Sequence, residues 1–343
     1  MHRGSFKIGL SDHISSQTVS ELTGISIPRI LDKFAELKGS FLKSSRIEGE
    51  EVWSFAHPTI ADALTEILRQ KPHMMAALIR GAPIDTVLSS FACEGAPIIR
   101  DALTISSTLN ETLVARLLQT PDETETNRSL FWFLAKQSND DVFQSLVHAD
   151  PNILNRKSWN TYKIANSSQF LVYGRAHRLG LLGPDLRENA ASRLENAVEN
   201  NFDLSFFENE DILALIPSKR LVSLGIKLRT QILPNASEHI GELASNADLD
   251  DDPESHFELV SEALRILEST TDLDDEAEQR VDEARDKIRD EVSSLTRRIE
   301  ERDSERNDET DWSQISAVSS KQEHDIPTFK EASTRSVFDD IDQ

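Results

Sequence analysis

Cysteine and tyrosine are scarce in this sequence of 343 residues, which contains a single cysteine, Cys93, and two tyrosines. A lone thiol excludes a disulfide framework and a cluster of thiolate metal ligands. Long apolar runs are missing too, since none approaches the roughly 18 to 20 residues of a membrane-spanning helix. The first ten residues, MHRGSFKIGL, lack the apolar stretch of a signal peptide. We therefore expect a cytoplasmic chain that does not enter a membrane.

Sequence signatures of several enzyme classes are absent as well. The chain contains no Gly-Lys-Ser/Thr triplet of a phosphate-binding loop, no G-x-G-x-x-G, no G-x-S-x-G and no H-E-x-x-H. Its nine histidines are scattered, without a metal-binding pair four residues apart. The acidic run after Asp248 has Pro253 and Leu259 where an EF-hand calcium loop needs Gly and Glu. These absences predict a chain that is not an enzyme and holds no metal or cofactor of its own.

The charge of the chain is strongly negative and unevenly distributed. Lysine and arginine number 37 against 60 acidic residues, a formal net charge of -23. Residues 1–60 balance at 7 basic and 7 acidic residues, whereas residues 241–343 hold 12 basic and 32 acidic residues, a balance of -20. Binding along a nucleic-acid backbone needs a basic footprint. The charge therefore predicts no broad phosphate-backbone binding.

Residues 1–60 have the element order of a winged-helix domain: helix, turn, helix and β-hairpin. Thr18-Val-Ser-Glu21 is a capping-box pattern, and it opens a short helix that ends at Gly24. Ser26 begins a second helix, whose apolar face holds Ile27, Ile30, Leu31, Phe34 and Leu37. The stretch SFLKSSRIEGEEVWSF then predicts two strands, near 41–45 and 51–56, around a polar turn at Gly49.

The next part, residues 61–245, reads as an α-helical sensor domain without a further strand pair. Polar or Gly/Pro-containing breaks separate helices predicted near 73–81, 84–92, 96–106, 110–119, 125–137, 140–148, 160–180, 185–199, 208–215 and 217–232. RGAPIDTVL and EGAPIIRDAL look like two copies of one turn-to-helix unit. Short helices joined by short turns favour a solenoid-like helical array. Cys93 would lie in an apolar helix as a buried structural thiol.

The last hundred residues form an acidic helical segment, 246–302, and a tail, 303–343. Helices are predicted near 254–268 and 276–302, the second with apolar residues every three or four positions between charged faces. The tail is polar and predicted to be disordered. Near its end Val337, Phe338 and Ile341 stand among acidic residues, either as a docking motif or as a plain terminus. The fold class is thus mainly α, with one small winged-helix domain.

His57 stands at the junction between the second predicted strand and the next helix. It precedes Pro58, and a residue before a proline in the first helical turn is non-helical, so His57 can simply be the residue that caps the helix. Histidine is a weak N-cap compared with Ser, Thr or Asp. Free amides at a helix N-terminus favour anions, and an imidazole beside them would suit a phosphate group. Both interpretations stay open from the residues alone.

The stretch FLKSSRIEGEEVWSFAHPTIADAL resembles the winged-helix region that follows the ATPase core in STAND-type signal-transduction NTPases. The closest pattern is Phe-x-His-Pro-[ST]-[IL]-x-[DE], which appears here as Phe55, His57, Pro58, Thr59, Ile60 and Asp62. The resemblance covers roughly residues 12–70, and it implies that His57 contacts the β-phosphate of ADP in the resting state. Family members follow this region with a long helical sensor. The P-loop, the Walker B acid and the helical lid of the ATPase core do not appear in this sequence.

The resemblance implies a non-enzymatic regulatory and sensing portion of a STAND-type NTPase, in bacterial defence or stress signalling. Its helical array would bind a trigger or partner protein, and the winged helix would relay the nucleotide state of an ATPase core. The chain would then be part of a split or truncated protein, or a relic kept for its sensor. ADP or ATP would meet His57 only if another chain, such as a P-loop ATPase, supplied the core.

Two other functions remain open. A DNA-binding regulator would use Arg29 and Lys33 on the second helix and Lys43 in the wing, although acidic residues such as Asp32 and Glu36 interleave with them. A helical scaffold would bind a partner protein without any nucleotide. Salt-dependent duplex binding that is lost on changing Arg29 and Lys33 to Glu would favour the regulator, and titration with ADP would separate the sensor from the scaffold.

Overall fold

The computed structural model describes residues 5–7, 24–47, 50–96, 102–158, 163–270 and 274–319. Most of these residues are helical, which confirms the prediction of a mainly α protein. The strands are β1 Ser5–Lys7, β2 Leu42–Ile47, β3 Glu50–Phe55, β4 Phe91–Cys93 and β5 Leu103–Ile105. No helix within these ranges combines the length and the apolar character that a membrane crossing requires.

The helices follow one another along the whole described chain. They are α1 Ile27–Leu37, α2 Pro58–Arg69, α3 Pro72–Gly81, α4 Ile84–Ser90, α5 Asn110–Leu117, α6 Thr124–Trp132, α7 Asp140–Ala149, α8 Ser168–Arg178, α9 Pro184–Asn201, α10 Glu210–Leu213, α11 Ser218–Lys227, α12 Ala236–Ser245, α13 Glu258–Thr270 and α14 Asp275–Ser319. Short π-helical stretches extend α6 through Phe133–Gln137 and α11 through Leu228–Ile232.

The N-terminal strands form an antiparallel sheet in the order β1-β3-β2. The hairpin pairs Leu42 with Phe55 and Ser45 with Val52, so both predicted strands are present and lie next to each other. Helix α1 precedes the hairpin as predicted, although the side chain of its capping residue Ser26 makes no cap hydrogen bond. Leu37 from the predicted apolar face is 39% exposed. The capping box at Thr18 lies outside the described residues.

A second sheet lies within the helical part and was not expected. Strand β4 pairs with β5 in parallel, with Phe91 opposite Leu103 and Cys93 opposite Ile105. The prediction of no further strand pair is therefore wrong, as is that of helix at 91–92 and at 103–105. Each strand has only three residues, and so short an apolar run has no period that distinguishes strand from buried helix.

Helices α3 to α8 and α10 pack in two rows, because most contacts join a helix to the second helix after it. Helix α3 packs against α5 and α5 against α7, while α4 packs against α6, α6 against α8 and α8 against α10. Large side chains that are at most 1% exposed fill this part of the core, among them Phe131, Phe133, Phe143 and Phe170. Each helix in this part therefore packs mainly against the second helix after it in the sequence.

Arginine side chains complete the hydrogen bonds of several helix ends in these rows. The last carbonyls of a helix have no partner within the helix and need an outside donor. Arg116 donates to the Ala82 carbonyl after α3 at 3.0 Å, and Arg156 donates to the Thr120 carbonyl after α5 at 3.0 Å. The donor and acceptor are more than thirty residues apart in each pair. These contacts therefore join parts of the helical array that lie far apart in the sequence.

The described residues divide into two compact units. The first takes its residues from Met1–Ala236 and Glu258–Glu283, and the second from Ser237–Phe257 and Ala284–Gln343. Within the second unit, Arg302 forms an ion pair of 2.8 Å with Asp250 in the acidic stretch after α12.

Helix α14 is longer than the predicted helix at 276–302. It continues to Ser319, so the predicted disorder is wrong for residues 303–319. These residues contain neither Gly nor Pro, and nothing in them interrupts a helix that has already begun. The rest of the predicted tail, including Val337 and Phe338, lies outside the described residues.

Candidate functional site

His57 is the N-cap residue of α2, directly after β3. Its backbone is extended, with φ -140° and ψ 144°. The ring nitrogen Nδ1 accepts a hydrogen bond from the Thr59 backbone N–H at 3.3 Å and lies 2.9 Å from the Thr59 hydroxyl. The His57 carbonyl accepts from the Ile60 N–H at 3.1 Å. The structure thus gives His57 the capping role that its position allowed.

This cap occupies the amides that a phosphate group would need at this helix end. Pro58 has no N–H, and the N–H groups of Thr59 and Ile60 already donate to His57. The imidazole itself is exposed to solvent. Of the other residues in the family-like pattern, Thr59 is exposed and Phe55 is partly buried, whereas the side chains of Pro58 and Asp62 are not described. Nucleotide sensing by His57 remains a prediction.

The residues predicted for DNA contact lie on two different elements of the described structure. Arg29, Lys33 and Lys43 are all exposed. Arg29 and Lys33 lie four residues apart on α1, and Lys43 lies on β2. The Lys33 ammonium is paired with the Glu36 carboxylate, which reduces its field. DNA contact also remains a prediction.

A polar cleft of about 440 Å³ lies where α7, α8 and α10 meet. The N-termini of α7 and α10 are built alike, since Asn139 and Asn209 each cap the N–H three residues later, at 2.9 and 3.2 Å. Acidic residues follow each asparagine, and Arg178 of α8 joins the two helix ends through Asp140 and Asp211, at 3.4 and 3.1 Å. The two capping segments also have similar sequences, NDDV at 139–142 and NEDI at 209–212.

Arg175 lies beneath this cleft, with its side chain only 11% exposed. Its guanidinium donates to the Leu134 carbonyl, to the Ser138 carbonyl and hydroxyl, and to Asp140 at 2.7 Å. It also lies over the Phe143 ring at 4.9 Å. Burial raises the pKa of the Asp140 carboxyl, but hydrogen bonds from Arg175 and Arg178 outweigh burial and hold the pKa below its usual value.

Cys93 is fully buried in β4 behind this cleft. Burial raises the pKa of its thiol to about 11, although a backbone hydrogen bond from Asn139 and the charge of Arg175 act in the opposite direction. A thiol with so high a pKa is protonated at neutral pH and is a poor nucleophile. The predicted buried structural thiol is therefore found, in a strand rather than in a helix.

The polar cleft is best explained as a structural junction, because the main charges that line it are paired with each other.

An apolar groove of about 240 Å³ lies between α11 and α13. We use the term apolar groove for the surface lined by Leu204, Phe207, Val222, Gly225, Ile226, Leu228, Arg229, Ile266 and Leu267. Val222 and Ile226 are 65% and 60% exposed, more than any other large apolar residue that the structure describes. A Cβ at Gly225 would meet no atom within 4 Å, so open space lies beside the helix at this point.

The helix that forms one side of the apolar groove is basic, although the chain as a whole is acidic. Residues 212–237 contain four basic residues and no Asp or Glu. Arg220 is bound to Glu195 and Glu188, and Lys227 to Glu199, so these two face α9. The other two basic residues, at 219 and 229, are exposed and lie on the same side of the helix as Val222 and Ile226.

Sequence reasoning missed the apolar groove, because Val222 and Ile226 fit the core face of a predicted helix as well as an exposed one. The absence of acidic residues from 212 to 237 is only a weak signal, because residues 151–184 lack Asp and Glu as well. Sequence reasoning also missed the polar cleft. Its repeated Asn-acid-acid caps are visible only when residues 139–141 and 209–211 are compared. No protein family, curated protein or solved structure matches this chain.

Proposed function

We propose that this chain is a non-enzymatic regulatory protein that binds a partner protein through its helical array. The exposure of Val222 and Ile226 beside open space at the apolar groove carries this proposal. Exposed large apolar side chains that border a groove are typical of protein-binding surfaces. We interpret the two rows of helices as stacked helical hairpins, a solenoid-like scaffold that presents such surfaces.

The proposed partner binding can be tested with a photo-crosslinking amino acid at position 222 of the full chain, in the cells that make it. The matched control places the same group at Trp132, which is 43% exposed and lies outside the groove. We expect one partner to be crosslinked from position 222 and not from 132. The partner is then purified, and its affinity for the chain should fall on Val222→Ser. Equal affinity for both forms would refute binding at the groove.

We further propose, on the resemblance to STAND-type NTPases, that the N-terminal helix and hairpin act as a winged helix that reports a nucleotide state. His57 at the β3–α2 junction would be the reporting residue, in trans to an ATPase core supplied by another chain. Anion contact would use the exposed imidazole, since the nearby amides of Thr59 and Ile60 are occupied. The setting would be bacterial defence or stress signalling.

This relay predicts that ADP changes the affinity between the chain and a P-loop ATPase partner, and that His57→Ala abolishes the change. His57→Asn is the matched control for folding, because asparagine is a good N-cap. Isothermal titration with and without ADP measures both affinities. If ADP has no effect on the wild-type complex, the nucleotide-independent scaffold is the better description.

A further inference from the structure

We infer that the occupant of the apolar groove is an acidic amphipathic helix of the partner protein. This inference rests on the proposed binding function and adds the chemistry of the partner. The groove provides an apolar floor, an exposed pair of apolar side chains and a basic edge. Each of these three features restricts what can bind there.

The spacing of the apolar side chains favours a helical ligand. Val222 and Ile226 are four residues apart on α11 and stand on one face. A bound helix presents its own apolar residues at i, i+3, i+4 and i+7, which interdigitate with a row of this kind. Gly225 lines the groove on the same helix, and its missing Cβ leaves room for a ligand side chain to approach the backbone.

The charge around the groove favours acidic residues in that ligand. Lys219 and Arg229 lie at the two ends of the stripe that contains Val222 and Ile226, about 15 Å apart at the usual helical rise. On the other side of the groove, Glu208 is paired with Arg265 at 2.7 Å, and Glu268 is a further acidic residue, so the formal charge of these three residues is -1. The α11 edge is therefore the positive one. Carboxylates of the ligand would lie over α11, and basic side chains there would be repelled.

The test uses the purified full chain and two panels of labelled 18-residue helical peptides. In both panels the leucines stand at i, i+3, i+4 and i+7, and the starting position i is varied along the peptide. The panels differ only in having Glu or Lys at the other exposed positions. Fluorescence anisotropy at two salt concentrations measures binding. We expect Glu peptides to bind at least tenfold more tightly than Lys peptides, by about 1.4 kcal/mol, and the difference to shrink in high salt.

Two neutral variants locate the bound peptide. Val222→Ser with Ile226→Ser should weaken the Glu peptides by about tenfold or more, because it removes apolar contact without adding charge. Leu118→Ser is the matched control, since Leu118, the residue directly after α5, is 39% exposed and does not line the groove. Circular dichroism melts confirm that each variant folds. Lys219→Glu should reduce or reverse the preference for Glu over Lys peptides.

Each other outcome overturns the inference in a distinguishable way. Equal binding of both panels, lost in the serine variant, overturns the acidic partner and leaves partner binding at the groove intact. Binding of Glu peptides that the serine variant does not weaken overturns the groove as the site. Absence of binding in both panels overturns the helical ligand, and the crosslink from position 222 then decides the proposed function separately. Self-association that the serine variant abolishes makes a second copy the occupant.

Discussion

The polar cleft and the apolar groove lie in the same compact unit, and each contains a helical glycine in a different environment. At Gly174 in the cleft region, an added Cβ would lie 2.8 Å from the backbone carbon and oxygen of Asp211, so α8 and α10 are in direct backbone contact. At Gly225 in the groove, an added Cβ would meet nothing within 4 Å. The first glycine permits packing, and the second leaves a surface open. A closed junction and an open surface therefore lie on neighbouring parts of one scaffold.

The same contrast applies to charge. In the polar cleft the guanidinium of Arg175 is buried and fully engaged by carbonyls, a hydroxyl and Asp140. At the groove the side chain of Lys219 is exposed to solvent. Paired, buried charge stabilises one arrangement of helices, whereas exposed charge of one sign selects a partner. The predictions that follow test this difference.

The largest expected effect is the loss of Arg175. Arg175→Met should lower the free energy of unfolding by about 2–4 kcal/mol, because it removes the Arg175 hydrogen bonds to the Leu134 and Ser138 carbonyls and leaves Asp140 without its main partner. The control, Arg178→Met, removes two exposed ion pairs and should cost less than about 1 kcal/mol. Urea unfolding with hydrogen exchange on α7 and α8 measures both. Equal effects would mean that the cleft does not depend on its buried arginine.

Gly174→Ala should be the next most damaging change. The new methyl group would press on the Asp211 backbone, which cannot move without shifting α10, and overpacking of this kind costs about 1–3 kcal/mol. We expect a lower urea midpoint and faster exchange of the α10 amides. An unchanged midpoint would show that α8 and α10 are not in close contact.

Gly225→Ala should have the opposite sign. Alanine is the better helix former, and since its methyl group meets no atom, the change should stabilise the protein by about 0.5–1 kcal/mol. The same thermal and urea measurements apply, with Gly174→Ala as the reference. A destabilising Gly225→Ala would mean that the groove is filled rather than open.

The smallest effect concerns pH and Asp140. Because the folded-state pKa of Asp140 is lowered, its contribution to stability is present above the ordinary value of 3.8 and is lost as pH falls through the folded-state pKa. The difference in urea midpoint between wild type and Asp140→Asn should therefore narrow as pH falls from 6 to 3. Asp141→Asn, at the exposed neighbouring carboxylate, is the matched control for the removal of one charge at this helix end.

Local sequence patterns predicted the helical class and most helix positions, because apolar spacing and Gly/Pro breaks act over a few residues. The hairpin at β2 and β3 and the junction at His57 were placed by the same signals. The patterns failed at β4 and β5, where three residues per strand carry no readable period. They also failed at the end of α14, where a polar stretch without Gly or Pro predicts disorder but is helical in the structure.

By itself, the sequence determined a mainly helical chain, a hairpin ahead of the helices and an acidic C-terminal third, since these depend on residue type and on spacing along one segment. Only the tertiary structure decided that Arg175 is buried among carbonyls while Val222 and Ile226 are exposed. Residues from 134 to 140 surround Arg175, and residues near 204 and 266 form the other side of the groove. Burial at these positions depends on which distant segments pack together, and no local pattern contains that information.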